Sequence, residues 1–325
     1  CEVNIMDRVT LSKIAKIHRT STTTVYNAIY SCTPVNTKLK RDILNTAESM
    51  GYFLKNKMPA CDIAVILPSN PVYFWSEAEK GILNEIRNSN ISIKLFTYSN
   101  MDDDEDFVLC MESAKRSNSK VYIITPVNTE KTIRIFNELD KNIVFLNEYV
   151  EIDKAGFVGA DAYKDGQMLA QACYDFLKKH PRILIINATA KNCKAEERKL
   201  GFCESLPESA RITGEIKLPF NRTLAASIAR EIEIRYQGKF DCIFVAQGWF
   251  QQVSMALKKL DLVIPCIGCE NQKVSPKYAE NGKLHAALVQ HIRKQGEQSI
   301  KYAMKLIEGV ELHGRNITVE STLMI

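Results

Sequence analysis

Apolar positions recur at helical spacing through the first fifty residues and gather into short β-branched runs after them. Between Thr10 and Leu54, one face carries Leu11, Ile14 and Ala15, a second carries Val25 and Ile29, and a third carries Ile43, Leu44, Ala47 and Met50. Thr10, Ser21 and Asn36 stand just before these stretches, each with a side-chain oxygen that can take a free backbone N–H. The pattern therefore predicts three short helices, the second over Ser21 to Tyr30. A short turn joins the first two, which is the layout of a helix-turn-helix unit.

From Ile63 the period changes. Apolar runs begin at Ile63, Ile93, Val121, Ile143, Phe157, Ile183, Ile212, Cys242 and Leu262, and predict nine strands. Helical patterns such as Glu77–Asn88, Lys164–Lys179 and Leu224–Arg235 lie between them. Continuous apolar strands alternating with amphipathic helices predict an α/β fold with parallel sheets covered on both faces, and nine strands fit two sheets better than one.

The chain has 325 residues, 46% of them hydrophobic and 25% charged, which suits about two globular domains. No apolar run approaches the roughly 20 residues needed to span a bilayer, and no basic-then-apolar leader pattern is visible. The expected location is cytoplasmic, with no membrane partner. The ten cysteines are scattered, and Cys266-Ile-Gly-Cys269 is a lone C-x-x-C, so small buried thiols are expected rather than a metal site. There is no G-x-G-x-x-G after the first strand, no G-x-x-x-x-G-K-[ST], no G-x-S-x-G and no H-E-x-x-H, and the five histidines are far apart. No enzyme activity, catalytic residue, metal or cofactor is expected.

Charge is not spread evenly. Residues 1–60 hold nine Lys and Arg against four acids, a net +5 that equals the charge of the whole chain. A basic helical module beside a neutral body predicts a double-stranded DNA partner. On helix two, Thr22, Thr23 and Asn27 lie opposite Val25 and are the expected base readers. Thr10, Lys13, Ser21, Thr24, Lys38 and Arg41, with Lys55 and Lys57 beyond, are expected on phosphates. One such unit offers few contacts, so a homodimer on a near-palindromic operator is expected. The segment Phe53 to Asp62 is short and contains Pro59, so it predicts an extended tether without a full helix.

Open α/β sheets bind ligands beyond the carboxyl ends of their strands. The residues there are Tyr73, Phe74, Trp75, Thr125, Asn147, Asp161, Gln247, Trp249 and Glu270. Rings, amides and carboxylates in this mixture suit a small polyhydroxylated molecule. Asp161 also stands where the following helix needs a cap.

The whole pattern resembles the lactose-repressor (LacI/GalR) family. Thr10-Leu11, Ile14-Ala15, Ser21, Thr24-Val25 and Gly51-Tyr52 carry the resemblance in the head. In the body it is carried by Asn70-Pro71, Gly81-Ile82, Phe157 to Asp161, Arg198 to Phe202, Asp241 to Gln247 and Ile267 to Glu270. The resemblance implies a ligand-responsive transcriptional regulator. It implies a DNA-binding head over 1–57 and two Rossmann-like lobes over 58–325, of the periplasmic-binding-protein type. The N-lobe would take about 62–160 and 290–318, and the C-lobe about 161–289. It adds Arg198 to the ligand residues. The sequence departs from the family pattern at Arg19 (a turn glycine), Lys13 (an acid), Gln247-Gly248 (Asn-Asp) and Glu270 (Asp). The alternatives are a solute-binding protein of sugar transport and an enzyme on α/β lobes.

Overall fold

The computed structural model describes residues 9–55, 58–99, 101, 103–153, 155–177, 181–189, 193–219, 223–269, 286–310 and 316–324. Two compact units are present. One comprises Cys1–Leu146, Glu151–Phe157 and Glu297–Arg315, and the other Asn147–Val150, Val158–Gly296 and Asn316–Ile325.

The first unit opens with α1 (Leu11–Ile17), α2 (Thr22–Tyr30) and α3 (Thr37–Ser49). Thr10, Ser21 and Asn36 cap them through their side chains, accepting from the backbone N–H of Lys13, Thr24 and Leu39. Ile14, Ala15, Val25, Ala28, Ile29, Ile43, Leu44 and Ala47 form one buried cluster. Arg19, where the resembled family has glycine, keeps the left-handed turn with φ 51. A side chain there costs roughly 1 kcal/mol relative to glycine, and the turn accepts it. After Gly51 the described residues form the four-residue α4 (Tyr52–Lys55), a single turn where the sequence predicts an extended tether without a full helix. The linker is not the three helices' only tie to the body. Leu109, from a helix of the α/β body, joins their core cluster, so they pack on the body as well as being linked to it.

The body of this unit is built on β1 (Ile63–Pro68), which is buried along its whole length. It pairs in parallel with β2 (Ile93–Tyr98) on one side and β3 (Val121–Ile124) on the other. β4 (Asn142–Leu146), β5 (Ala155–Gly159) and β11 (Asn316–Thr318) complete the sheet order β11-β5-β4-β3-β1-β2, with β11 and the last two residues of β5 counted in the second unit. The connections are α5 (Val72–Ile86), α6 (Asp104–Lys115) and α7 (Glu130–Glu138).

The second unit holds α8 (Ala162–Leu177), β6 (Arg182–Ala188), α9 (Cys193–Glu204), β7 (Arg211–Leu218) and α10 (Leu224–Glu231). β8 (Cys242–Val245), α11 (Phe250–Lys259), β9 (Cys266–Cys269), β10 (Ala286–Val289), α12 (Ile292–Ile307, shared with the first unit) and β12 (Thr322–Met324) follow. Its sheet runs β12-β10-β9-β8-β6-β7, parallel except for β12 against β10.

Three sequence expectations change. The strand expected from Leu262 is confined to Cys266–Cys269, because Pro265 offers no N–H to a ladder and biases the residue before it. The helix expected over Leu224–Arg235 becomes a π-helical turn at Ile232–Tyr236. Strands β10, β11 and β12 add to the nine expected; β11 and β12 are three residues each with exposed ends and offer no apolar run to read.

Candidate ligand-binding site

In the first unit the carboxyl end of β1 leads into Ser69 and Asn70. Asn70 donates from Nδ2 to the Ser99 carbonyl at 3.2 Å, and its own carbonyl accepts from Trp75 Nε1 at 3.1 Å. Those two bonds fix the loop against the end of β2 and orient the first turn of α5. Tyr73, Phe74 and Trp75 lie in that turn, and the Phe74 and Trp75 rings meet edge-on with centroids 4.7 Å apart. Phe74 and Trp75 are buried, whereas Tyr73 is half-exposed. Thr125, after β3, is buried, and its hydroxyl donates to the Leu146 carbonyl at 2.9 Å. Its side chain therefore ties β3 to β4.

In the second unit the predicted residues fall around the start of α8, the middle of α9 and the end of β8. Asp161 caps α8, accepting from the Lys164 N–H at 3.0 Å, and remains exposed. One turn on, Asp165 is buried and faces Arg198 of α9 across an ion pair of 4.0 Å. Arg198 Nη1 donates to the Ala246 carbonyl at 2.7 Å, next to Gln247 at the end of β8. Burial pushes the Asp165 carboxyl up, against the pull of Arg198. Trp249 precedes α11 and packs in the core cluster with Leu224, Ile228 and Phe250. Asn147 has φ 65 and donates from Nδ2 to Gln295 Oε1 at 3.1 Å. Arg198 thus links Asp165 of α8 to the end of β8, and Thr125, Asn147 and Arg198 each have structural partners. Glu270 lies outside the described residues.

Sequence reasoning missed a second polar layer here. Asn187, at the end of β6, donates to Glu196 Oε1 at 2.9 Å and to Glu215 Oε1 at 3.1 Å. Lys199 bridges the same two carboxylates at 2.6 and 3.2 Å, and Lys217 adds contacts at 3.5 and 3.8 Å. Partial burial pushes the Glu196 carboxyl up, but Lys199 and Lys217 outweigh it and hold it below the usual range. The network locks α9 onto β6 and β7, which steadies Arg198. Lys194 belongs to another cluster, pairing with Glu197 at 3.0 Å while its N–H meets Glu148 at 3.4 Å. The Glu–Lys spacing of α9 was the available signal, and only the fold shows which strand it faces.

In the helical unit, Thr10, Ser21, Thr22, Thr23, Lys38 and Arg41 are exposed, and Lys13, Thr24 and Asn27 are half-exposed. Ser21 and Thr24 share a hydroxyl contact of 2.9 Å. Arg41 is paired with Glu105 of α6. Lys57 and the side chain of Lys55 fall outside the described residues. Among the described residues, no His, Cys, Asp and Glu group is arranged to hold a metal ion, and no helix is long and apolar enough to cross a membrane.

The chain is similar to the D-allose-binding periplasmic protein of Escherichia coli (strain K12), with 24% identity over 263 residues that cover 74% of this chain and 83% of that protein. Among solved structures it matches the periplasmic component of an ABC-type sugar transport system from Hahella chejuensis, with TM-score 0.73, 15% identity, and coverage of 81% of this chain and 99% of that one. A LacI-family transcriptional regulator from Silicibacter pomeroyi matches with TM-score 0.63 and 17% identity, over 97% of this chain and 98% of that one. At these identities the structures show the fold alone. None of these relatives is an enzyme by its description, in keeping with the missing catalytic motifs. A family model described as a periplasmic binding protein domain matches residues 63–311, most of the chain, and the protein belongs to that family.

Proposed function

We propose that the α/β body binds a small polyhydroxylated ligand of the sugar class and performs no chemistry on it. The family match carries this reading, together with the allose-binding relative. The strand ends supply suitable groups. Asp161 presents an exposed carboxylate beside its capping role, Gln247 an amide, and Tyr73 a half-exposed ring. Carboxylates and amides take sugar hydroxyls, while rings cover apolar sugar faces.

Two biological roles suit such a body. A transport-type binding protein needs only the two α/β parts, and the sugar-transport neighbours favour that role. A ligand-responsive regulator also needs a DNA reader, and one observation favours it specifically. Residues 9–55 precede the family match and form three capped helices whose α2 carries exposed Thr22 and Thr23 with Asn27 beside them. The LacI-family neighbour covers nearly the whole chain, these residues included. In the regulator reading α2 enters the major groove, Asn27 reads adenine, Thr10, Lys13, Ser21, Thr24 and Lys38 meet phosphates, and two copies bind a near-palindrome.

Fluorescence anisotropy of a duplex library, with and without sugars, separates the roles. The regulator reading expects affinity that falls steeply with salt, a base preference relaxed by Asn27→Ala, and a shift on adding the bound sugar. The Asn27 contact is worth about 1–3 kcal/mol of discrimination. Sugar binding without DNA binding at low salt would leave the transport role.

A further inference from the structure

The first turn of α6 is acidic: Asp103 caps it, and Asp104, Glu105 and Asp106 follow. The first turns of α3 lie against it, and their donors meet its carboxylates one after another. Thr37 Oγ1 donates to Asp103 Oδ2 at 2.7 Å, Lys40 Nζ to Asp106 Oδ1 at 2.5 Å, and Arg41 pairs with Glu105. The Lys40 and Asp106 side chains are 1% and 0% exposed. Asp106 Oδ2 also accepts from the Ser99 N–H at 2.7 Å and from the Ser99 hydroxyl at 2.6 Å, just after β2. One carboxylate thus joins α3, α6 and the end of β2.

The contact continues beyond the ion pair. Thr97 of β2 donates its N–H to the Ser31 carbonyl at 2.7 Å, at the end of α2. Arg116, following α6, stacks 3.9 Å from the Phe53 ring. Lys94 of β2 lies 4.8 Å from the Tyr30 ring. A buried ion pair whose carboxylate is fully hydrogen-bonded is costly to open from one side. A solvated tether would have no use for one.

We infer that the three-helix unit is clamped to the α/β body through α3 and α6, with Lys40–Asp106 as the closing contact. A consequence follows, which rests on the regulator reading. The acidic turn takes the place that phosphate oxygens would have on α3. Thr37, Lys40 and Arg41 are dock residues, and DNA is left to α1, α2 and Lys38. Movement of β2 or α6 then reaches the helical unit directly, without passing through the linker.

Hydrogen exchange on the full chain tests the clamp without DNA. In the wild type the amides of α3 and the first turns of α6 should exchange at matching rates. Asp106→Asn should raise both by at least about tenfold, while the strands of the second unit stay unchanged. The milder Thr37→Val, which keeps the ion pair, should raise both several-fold and serves if Asp106→Asn does not fold. Fast exchange of wild-type α3 beside a protected α6 would overturn the clamp. So would α3 rates unmoved by either variant. For the assignment of DNA contacts, Arg41→Ala should change DNA affinity less than twofold and Lys38→Ala more than threefold. The reverse order would overturn that assignment. DNA binding absent from the wild type would refute the regulator reading alone, since the exchange result needs no DNA.

Discussion

Lys40→Ala should lower the stability of the first unit by about 3–5 kcal/mol, whereas Arg41→Ala, one residue away, should cost less than about 1 kcal/mol. Both cations pair with α6 carboxylates, and burial separates them. The Lys40 and Asp106 side chains are essentially inaccessible, whereas the Arg41 and Glu105 side chains are 45% and 41% exposed. Removing Lys40 strands the buried Asp106 carboxylate with only the Ser99 donors for partners and the Cys110 thiol nearby. Removing Arg41 returns Glu105 to water. Lys40→Met paired with Asp106→Leu should recover part of the loss, because no uncompensated charge remains, while the Ser99 N–H and hydroxyl lose their acceptor. Urea unfolding followed by far-ultraviolet circular dichroism reads the differences. Equal, small effects for the two single variants would mean that the Lys40–Asp106 contact is solvated.

Gly201→Ala should be at least as damaging to the second unit, by about 3 kcal/mol or more. α8 and α9 cross so closely that glycines are required on both sides. A Cβ at Gly201 would lie 2.1 Å from the Tyr163 carbonyl oxygen, and one at Gly166 would lie 2.1 Å from that of Arg198. These neighbours are backbone, so relief requires a helix to move, and α9 is pinned through Glu196 and Lys199 to β6 and β7. Gly238→Ala is the control. Its φ of +68 disfavours a side chain, but nothing lies within 4 Å of the added carbon, so only the strain of roughly 1 kcal/mol is expected. Thermal melts should rank Gly201→Ala and Gly166→Ala well below Gly238→Ala. A tolerated Gly201→Ala would show that the helices can separate. Arg198 would then be less firmly placed than its bond to Ala246 implies.

Much of the fold was legible because its signals are local. Helix caps act within three residues, which is why Thr10, Ser21 and Asn36 could be read as caps directly. The apolar runs of β1, β3, β6 and β8 are long enough to stand out, and their alternation with helices implies parallel sheets. Strands β11 and β12, three residues each with exposed ends, have no apolar run to read and exist only through pairing partners far along the chain. The site was less legible for the same reason. Strand-end logic named Tyr73, Asp161 and Gln247, and they lie in the first turn of α5, at the cap of α8 and just beyond β8. It could not show that Thr125 is committed to the Leu146 carbonyl, or that Arg198 reaches back to Ala246 and Asp165. The Lys40–Asp106 pair joins residues 66 positions apart. In sequence they read as a basic helix and an unrelated acidic run, and only the packing of α3 on α6 gives them a shared meaning.

On the proposed reading this chain binds a sugar-class molecule and leaves it unaltered. Isothermal titration calorimetry tests it most directly, with a panel of aldopentoses, aldohexoses including allose, and cyclitols, each recovered afterwards and identified by mass spectrometry. The expected result is saturable binding of one compound per chain, selective among stereoisomers, with the compound recovered unchanged. Absence of heat across the whole panel from folded protein, or recovery of a chemically altered compound, would contradict the account.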